Sequence, residues 1–582
     1  MAFQMTVLGQ QVLFEPPPHT CDENCTDPCT ANGDVEATQK MIRNMMAEME
    51  RRVAQQLGIQ LGNKNLCDPI SNLLPFEISA SIFELCLPRW KRTTELSLFE
   101  EDNASTLFTL GAVCKTWRHI IWSTPSFWSH LLILIDPSTV RSYTPLVEEW
   151  IVRSKDVPLS LAVYYGKGPD EPTGFEEWFP PLSKIINASS SRWECLDLSI
   201  PKCLRVFFAQ LPSNLRELKI ENTGPSGRTF ENAFESQTTT GQSSFSAPTY
   251  VDIDYYISWE SVPILWNNVT KVKIQGLTVV DCLELLRLAP KLESCTFPRG
   301  NPDNVAGHVP LPVVHAKLEE LHINEPAPLN FVHALCDALT IPALENLTVQ
   351  HNVFERLPTD NLLALMKRSS CSLKTAEIGC LLHEDDIITF LQATPSLRHL
   401  TFGENAPVGN FKARNFFKKL ARTAHLGESD TESSSSQEIF LPHLESLAYF
   451  SSKPDDCESI WDVLPRIFGV PTDDYDYETE DLDPYRRPLK DVKILYEQYQ
   501  EEPGLDSSLD DEPPTRTVPL LSKRTILKID CVTRLGSVDL RILAHYKAHD
   551  HLEDLIEVSN LACDWDWDGD LEYTSSESSD DE

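Results

Sequence analysis

LEELHI at 318–323 is followed 26 residues later by LENLTV at 344–349, and both spell Leu-x-x-Leu-x-apolar. The same string, with substitutions, precedes and follows them. It reads WECLDL at 193–198, LRELKI at 215–220, VTKVKI at 269–274 and LESCTF at 292–297, then LKTAEI at 373–378, LRHLTF at 397–402, LESLAY at 444–449 and LKDVKI at 489–494. Alternation over the last positions predicts a short strand with its apolar side inward and its x positions facing solvent. VVDCLELLRLAP and DIITFLQATP, lying between such strings, carry helical periodicity. A single strand and helix cannot bury their own apolar faces. Stacked units share one core, so the strands are expected to join into a parallel sheet.

Successive starts from 269 to 397 are 23, 26, 26, 29 and 24 residues apart, the period of a leucine-rich repeat. The strings lack the regular Asn of that signature, so an irregular array is expected, with PTYVDI at 248–253 as one more degenerate strand. Unrelated strands of a mixed α/β domain are the alternative. Acidic, Ser-rich or Pro-rich stretches interrupt the array: GESDTESSSSQE at 427–438, DDYDYETEDLD at 473–483 and EEPGLDSSLDDEPP at 501–514. Such composition reads as loops or disorder. After them RTILKID and SVDLRILAHYK offer last strands, and HLEDLIEVSNLAC a closing helix. The target-holding surface is expected on the polar strand positions, including Lys271, Lys273, Glu319, Glu320 and His322.

A different pattern occupies Leu74 to Trp128. Pro75 suits an early helical position, and Ile78, Ile82 and Leu85 recur at helical spacing behind it. Val113, Trp117, Ile120 and Ile121 recur likewise, with Lys115, Arg118 and His119 on the polar side. Two or three such helices bury little core alone, so part of their apolar surface is expected to be satisfied by a partner.

LPFEISASIFELCLP followed by LGAVCKTWRHIIWSTPSFW resembles the F-box, above all the fungal F-box-like variety with its Ser/Thr-Pro-x-Phe/Leu-Trp ending. The resemblance covers about 65 residues. It implies binding to the Skp-type adaptor on the cullin scaffold of a cullin-RING ubiquitin ligase. Leu74, Pro75, Ile78, Ile82, Leu85, Val113, Cys114 and Trp117 are the adaptor-binding or core residues it implies. The chain departs from a compact F-box in the inserted loop RWKRTTELSLFEEDNAST, of a kind that loop-closure entropy tolerates.

The chain of 582 residues carries 87 acidic and 50 basic residues, a formal charge of −37. That balance argues against partners made of nucleic acid or anionic membrane. No run of about 20 apolar residues marks a membrane span, and MAFQMTVLGQQVLFEPPPH has neither the basic flank nor the apolar length of a signal peptide. Sixteen scattered cysteines, many in apolar segments, suit reduced thiols in cytoplasm or nucleus.

His19, Cys21, Cys25 and Cys29 offer metal ligands, but C-x3-C-x3-C is not a paired zinc knuckle. Asp564, Asp566, Asp568 and Gly569 start like a calcium loop, yet Ser575 stands where the bidentate Glu belongs. No metal and no cofactor are therefore expected. Ser578 and Ser579 have acidic residues three positions on, the context of an acidophilic kinase. No phosphate-binding loop, H-E-x-x-H or G-x-S-x-G is present, so the chain is not read as an enzyme.

Together these features give an α/β chain: N-terminal F-box helices followed by an irregular leucine-rich-repeat solenoid with a parallel sheet. Its parts are a disordered tail (1–33), an amphipathic helix (34–62), an F-box-like domain (66–130), a repeat-like solenoid (131–560) with acidic disordered loops near 425–438 and 471–516, and an acidic disordered tail (561–582). The function expected is substrate recognition for an SCF-type cullin-RING ligase, with an interaction scaffold outside any ligase as the alternative.

Overall fold

The computed structural model describes residues 3–7, 10–14, 40, 44, 48, 51, 74–87, 103–166, 173–208, 211–223, 231–232, 245–255, 257–300, 311–327, 329–351, 356–380, 383–403, 413–423, 439–451, 460–461, 463–468, 487–498, 521, 523–536, 538–546 and 551–562. The chain divides into two compact units, Met1–Val269 and Thr270–Glu582. Each has α/β architecture around an open parallel sheet.

In the first unit, β1 (Phe3–Val7) and β2 (Gln10–Phe14) pair antiparallel. This hairpin falls inside the stretch expected to be a disordered tail. Its alternating Phe3, Met5 and Val7 are the period-two signal that the polar, Pro-rich composition around them concealed. Within the 34–62 stretch the described residues are Lys40, Asn44, Glu48 and Arg51, which are helical. Its apolar face, Ile42, Met45, Met46, Met49, Val53 and Leu57, lies outside the described residues.

Three helices follow: α1 (Phe76–Cys86), α2 (Asn103–Val113) and α3 (Lys115–Ser123). The inserted loop ends earlier than the sequence suggests, because Asn103–Thr106 already form the first turn of α2. Nor do Val113 and Trp117 share one helix. Val113 closes α2, and extended backbone at Cys114 starts α3 afresh.

The first sheet then runs β3 (His130–Ile135), α4 (Val140–Arg153), β4 (Leu159–Tyr165), α5 (Phe175–Ala188), β5 (Trp193–Ser199), β6 (Glu217–Glu221) and β7 (Tyr250–Ile253). The strands neighbour one another in chain order, all parallel. Leu161, Leu196, Leu218 and Val251 form one row across four strands, and all are buried. HLLILI and LSLAVYY are strands the repeat pattern does not reveal, since neither carries the leading Leu-x-x.

The second unit alternates strand and helix in the same way: β8 (Lys271–Ile274), α6 (Val279–Leu288), β9 (Ser294–Pro298), β10 (Glu320–Ala327), α7 (Leu329–Ala338), β11 (Asn346–His351), α8 (Thr359–Ser369), β12 (Thr375–Gly379), α9 (Glu384–Gln392), β13 (His399–Gly403), α10 (Arg414–Arg422), β14 (Ser446–Ser451) and β15 (Asp491–Gln498). It ends with α11 (Lys523–Gly536), β16 (Asp539–Tyr546), β17 (His551–Asp554) and α12 (Leu555–Ala562). Strands β8 to β16 are parallel in chain order, and β17 turns back antiparallel on β16.

Every Leu-x-x-Leu-x-apolar string in this unit ends in a strand. The leading Leu292, Leu318, Leu344, Leu373, Leu397, Leu444 and Leu489 sit just before the strands and are buried. Thr278 and Asp281 form a reciprocal capping box that fixes where α6 begins. The expected strand RTILKID is instead part of α11. Ile526, Ile529 and Val532 are all buried, at a spacing of three that one helix face requires. HLEDLIEVSNLAC splits into β17 and α12 rather than forming one helix.

One device recurs in both units. An arginine reaches the open carbonyls at the end of an earlier helix, groups that no turn of that helix can satisfy. Arg192 donates to Ile151 O (3.3 Å) and Val157 O (2.9 Å) behind α4. Arg368 donates to Leu339 O (2.9 Å from Nε) and Cys336 O behind α7. Arg487 donates to Leu420 O (2.9 Å) and Phe440 O (2.7 Å from Nη2) behind α10. Among the described residues, no helix is long and apolar enough to cross a membrane.

Candidate functional site

Helix α1 is built so that two of its faces do different things. Pro75 is its N-cap rather than its first helical residue, with φ −54° and its carbonyl accepting from Ser79 N–H at 3.1 Å. Ser79 and Phe83 are the buried positions, and the Phe83 ring packs on Trp117 of α3 at 4.6 Å between centroids. Ile78, Ile82 and Leu85 point elsewhere, 49%, 42% and 78% exposed, and Phe76 stays 41% exposed beside the His119 ring. At 100° per residue, Ile78, Ile82 and Leu85 fall within about 60° of one another on the helix wheel, and away from Phe83. They form a stripe that the described residues of the chain do not cover.

The remaining predicted residues divide between surface and support. Val113, at the end of α2, is 59% exposed. Cys114 is half-buried, and its Sγ accepts from Trp117 N–H at 3.4 Å, capping α3 as a Ser would. Trp117 is half-buried against Phe83, so it braces α1 rather than extending the stripe. Leu74 is half-buried and Pro75 exposed. Phe76, at the position after Pro75, lies off the i, i+3, i+4 pattern that marks the stripe in the sequence.

Behind this surface the Trp-rich ending anchors the helices to the first sheet. Trp128 is 2% exposed, donates from Nε1 to Ile121 O at 2.9 Å, and meets Trp122 and Trp150 at 5.6 and 4.7 Å. The guanidinium of Arg153 lies over both Trp122 (5.1 Å) and Trp128 (4.9 Å) while Nε bonds Glu149 at 2.9 Å. Gly111 is required here, since a Cβ would lie 2.5 Å from the Trp122 ring.

The polar sheet positions fall where alternation places them. In the second unit Lys273, Thr296, His322, Thr348 and Glu377 form one row across five adjacent strands. His322 Nδ1 lies 2.8 Å from Thr348 Oγ1, and Gln350 donates to Glu377 Oε1 at 2.8 Å. Lys271 and Glu320 belong to the neighbouring row, with Glu319 just before β10.

In the first unit the equivalent row holds Ala162, Asp197, Lys219 and Asp252. Tyr164 donates to Asp197 Oδ2 at 2.8 Å, and Lys219 Nζ lies 3.5 Å from Asp197 and 2.9 Å from Glu221. Burial lifts the Asp197 carboxyl to about 6, against the opposing pull of Lys219. Burial lowers the Lys219 ammonium, but Asp197 and Glu221 outweigh it and hold it above its ordinary value. Tyr164 is raised by burial and by Asp197. In the sequence these residues are only x positions of WECLDL and LRELKI, with nothing to mark them.

Among the described residues no group of three or more His, Cys, Asp or Glu is arranged to hold a metal ion. The His19–Cys29 and Asp564–Gly569 candidates, Ser578 and Ser579 lie outside the described residues. A scan against protein-family models matches none of them, and a search of curated proteins finds no match.

Proposed function

We propose that the chain is the substrate-recognition subunit of an SCF-type cullin-RING ubiquitin ligase. In this reading α1 to α3 are an F-box-like domain that docks the Skp-type adaptor, and the strand and helix units form an irregular leucine-rich-repeat solenoid that holds a target protein. One observation carries it: α1 turns Ile78, Ile82 and Leu85 to solvent while Phe83 faces inward. Leaving three large aliphatic side chains exposed on one stripe forgoes about 1.5–3 kcal/mol each of burial, which a docked partner would recover. The sequence resemblance names that partner. The mechanism is positional: ubiquitin transfer occurs on other subunits, and tethering raises the local concentration of the target.

The test is co-purification of the full chain with a Skp-type adaptor. The double variant Ile82→Asp, Leu85→Asp changes only exposed side chains, so it is expected to fold and to lose the adaptor. Retention of the adaptor by that variant, or no association of the unaltered chain, rejects the reading in favour of a scaffold outside any ligase.

A further inference from the structure

The polar face of the first sheet holds more negative charge than its one central cation can balance. Asp197 on β5, Glu221 on β6 and Asp252 on β7 surround Lys219. The ammonium lies closer to Glu221 (2.9 Å) than to Asp197 (3.5 Å), so two negative charges remain in excess. The patch is not freely solvated: the Asp197 and Lys219 side chains are 19% and 18% exposed and Asp252 is 5% exposed. Asp197 is compensated on one oxygen alone. Its Oδ2 receives the Tyr164 hydroxyl, whereas Oδ1 is shielded from solvent and takes no hydrogen bond. The flanking β3 residues Leu132 and Leu134 add no charge and Ala162 is the β4 neighbour in the row, while in the next row along Glu217 on β6 adds a further carboxylate to this face and Tyr250 on β7 donates to Asp252 Oδ2 at 3.4 Å.

Like charges sharing a desolvated patch cannot all ionise at little cost, and the group with an unsolvated, undonated oxygen yields first. We propose that Asp197 is a proton switch: in mild acid its carboxylate takes a proton from water, Lys219 passes to Glu221 and Asp252, and this sheet face loses one negative charge. Burial placing the Asp197 carboxyl near 6 sets the switch within a range where a modest acidification moves it. The proposal concerns the sheet face and stands independently of adaptor binding.

Tyr164 reports the event, because its hydroxyl bonds the carboxyl that changes state. The full chain is titrated from about pH 8 to about pH 5 while near-ultraviolet tyrosine absorption is followed, and the Tyr164→Phe signal is subtracted. A single step with its midpoint near 6 is expected. Asp197→Asn removes the step. Glu221→Gln, which takes away one of the excess charges, keeps the step and moves its midpoint to lower pH. That second variant carries the test should Asp197→Asn fail to fold. A flat difference signal, the same step in Asp197→Asn, or an unmoved midpoint in Glu221→Gln overturns the proposal.

Discussion

Neighbouring side chains on one helix have opposite roles in α1, and the difference is measurable. Phe83 is 4% exposed and stacks on Trp117, so Phe83→Ala leaves a cavity and should destabilise the first unit by about 3–5 kcal/mol. Leu85, 78% exposed, contributes little packing, and Leu85→Ser should change stability by less than about 0.5 kcal/mol. Urea unfolding of both variants checks the pair, and equal losses would mean that the stripe is packed after all. Asp197 gives a second prediction, from linkage. Its folded value near 6 exceeds the unfolded value of about 3.9, so the native state binds more protons between those limits and gains stability as pH falls through 6. Asp197→Asn should therefore be more stable than the unaltered chain at about pH 7.5, by roughly 2 kcal/mol, with the gap closing towards about pH 4.5. A gap that widens in acid would reverse the sign of the argument. Of the candidate residues, Ile78, Ile82 and Leu85 have a shared face that was legible, because helical spacing alone sets it. The places of Cys114 and Trp117 as a cap and a brace were not, since both depend on where α2 stops, which apolar spacing does not record.

At the level of elements, the strands were readable wherever the Leu-x-x-Leu-x-apolar string occurs, because alternation with a buried leading Leu leaves few other conformations that bury the same side chains. Strands β3 and β4 escaped, being buried apolar runs without that lead, and α11 was misread because a seven-residue window holds too few turns to separate period two from period 3.6. The arginine caps were also hidden. Each joins residues between 29 and 67 positions apart, a pairing that stacking creates and local sequence does not announce. Arg487 shows what such a cap contributes. It is 3% exposed, burial lowers its guanidinium to about 10, and its Nη1 and Nη2 serve carbonyls of α10 and of the segment before β14. Arg487→Met would fill much of the volume but strip Phe440 O of its Arg487 donors and leave Leu420 O with only the long Thr423 hydroxyl bond at 3.4 Å. The expected loss is about 3 kcal/mol by denaturant unfolding. A loss below about 1 kcal/mol would show that desolvation of the charge had cancelled its hydrogen bonds.

For the whole molecule the governing quantity is charge. A formal −37 spread over a chain of 582 residues means that each sheet and helix is assembled against repulsion from the rest. Opposing this are ion pairs such as Lys374–Glu345 (2.6 Å), Arg398–Glu445 (2.9 Å) and Arg356–Asp386 (2.9 Å), all substantially exposed. Exposed pairs contribute about 0–1 kcal/mol each, whereas the excess of acidic residues acts over longer distances on every part of the chain. Salt discriminates between the two terms. Raising ionic strength from about 10 mM to about 150 mM shortens the screening length from about 30 Å to about 8 Å, which removes much of the long-range repulsion but reaches contact pairs less. The thermal midpoint of the full chain should therefore rise across that range, most steeply at the low end. Neutralising carboxylates by lowering pH from about 6 to about 4.5 should act in the same direction, and the two treatments should be less than additive because they relieve the same repulsion. A midpoint that falls with salt would instead make the ion pairs the dominant electrostatic contribution, and the acidic excess would then have to be sought in segments that do not touch the folded sheets.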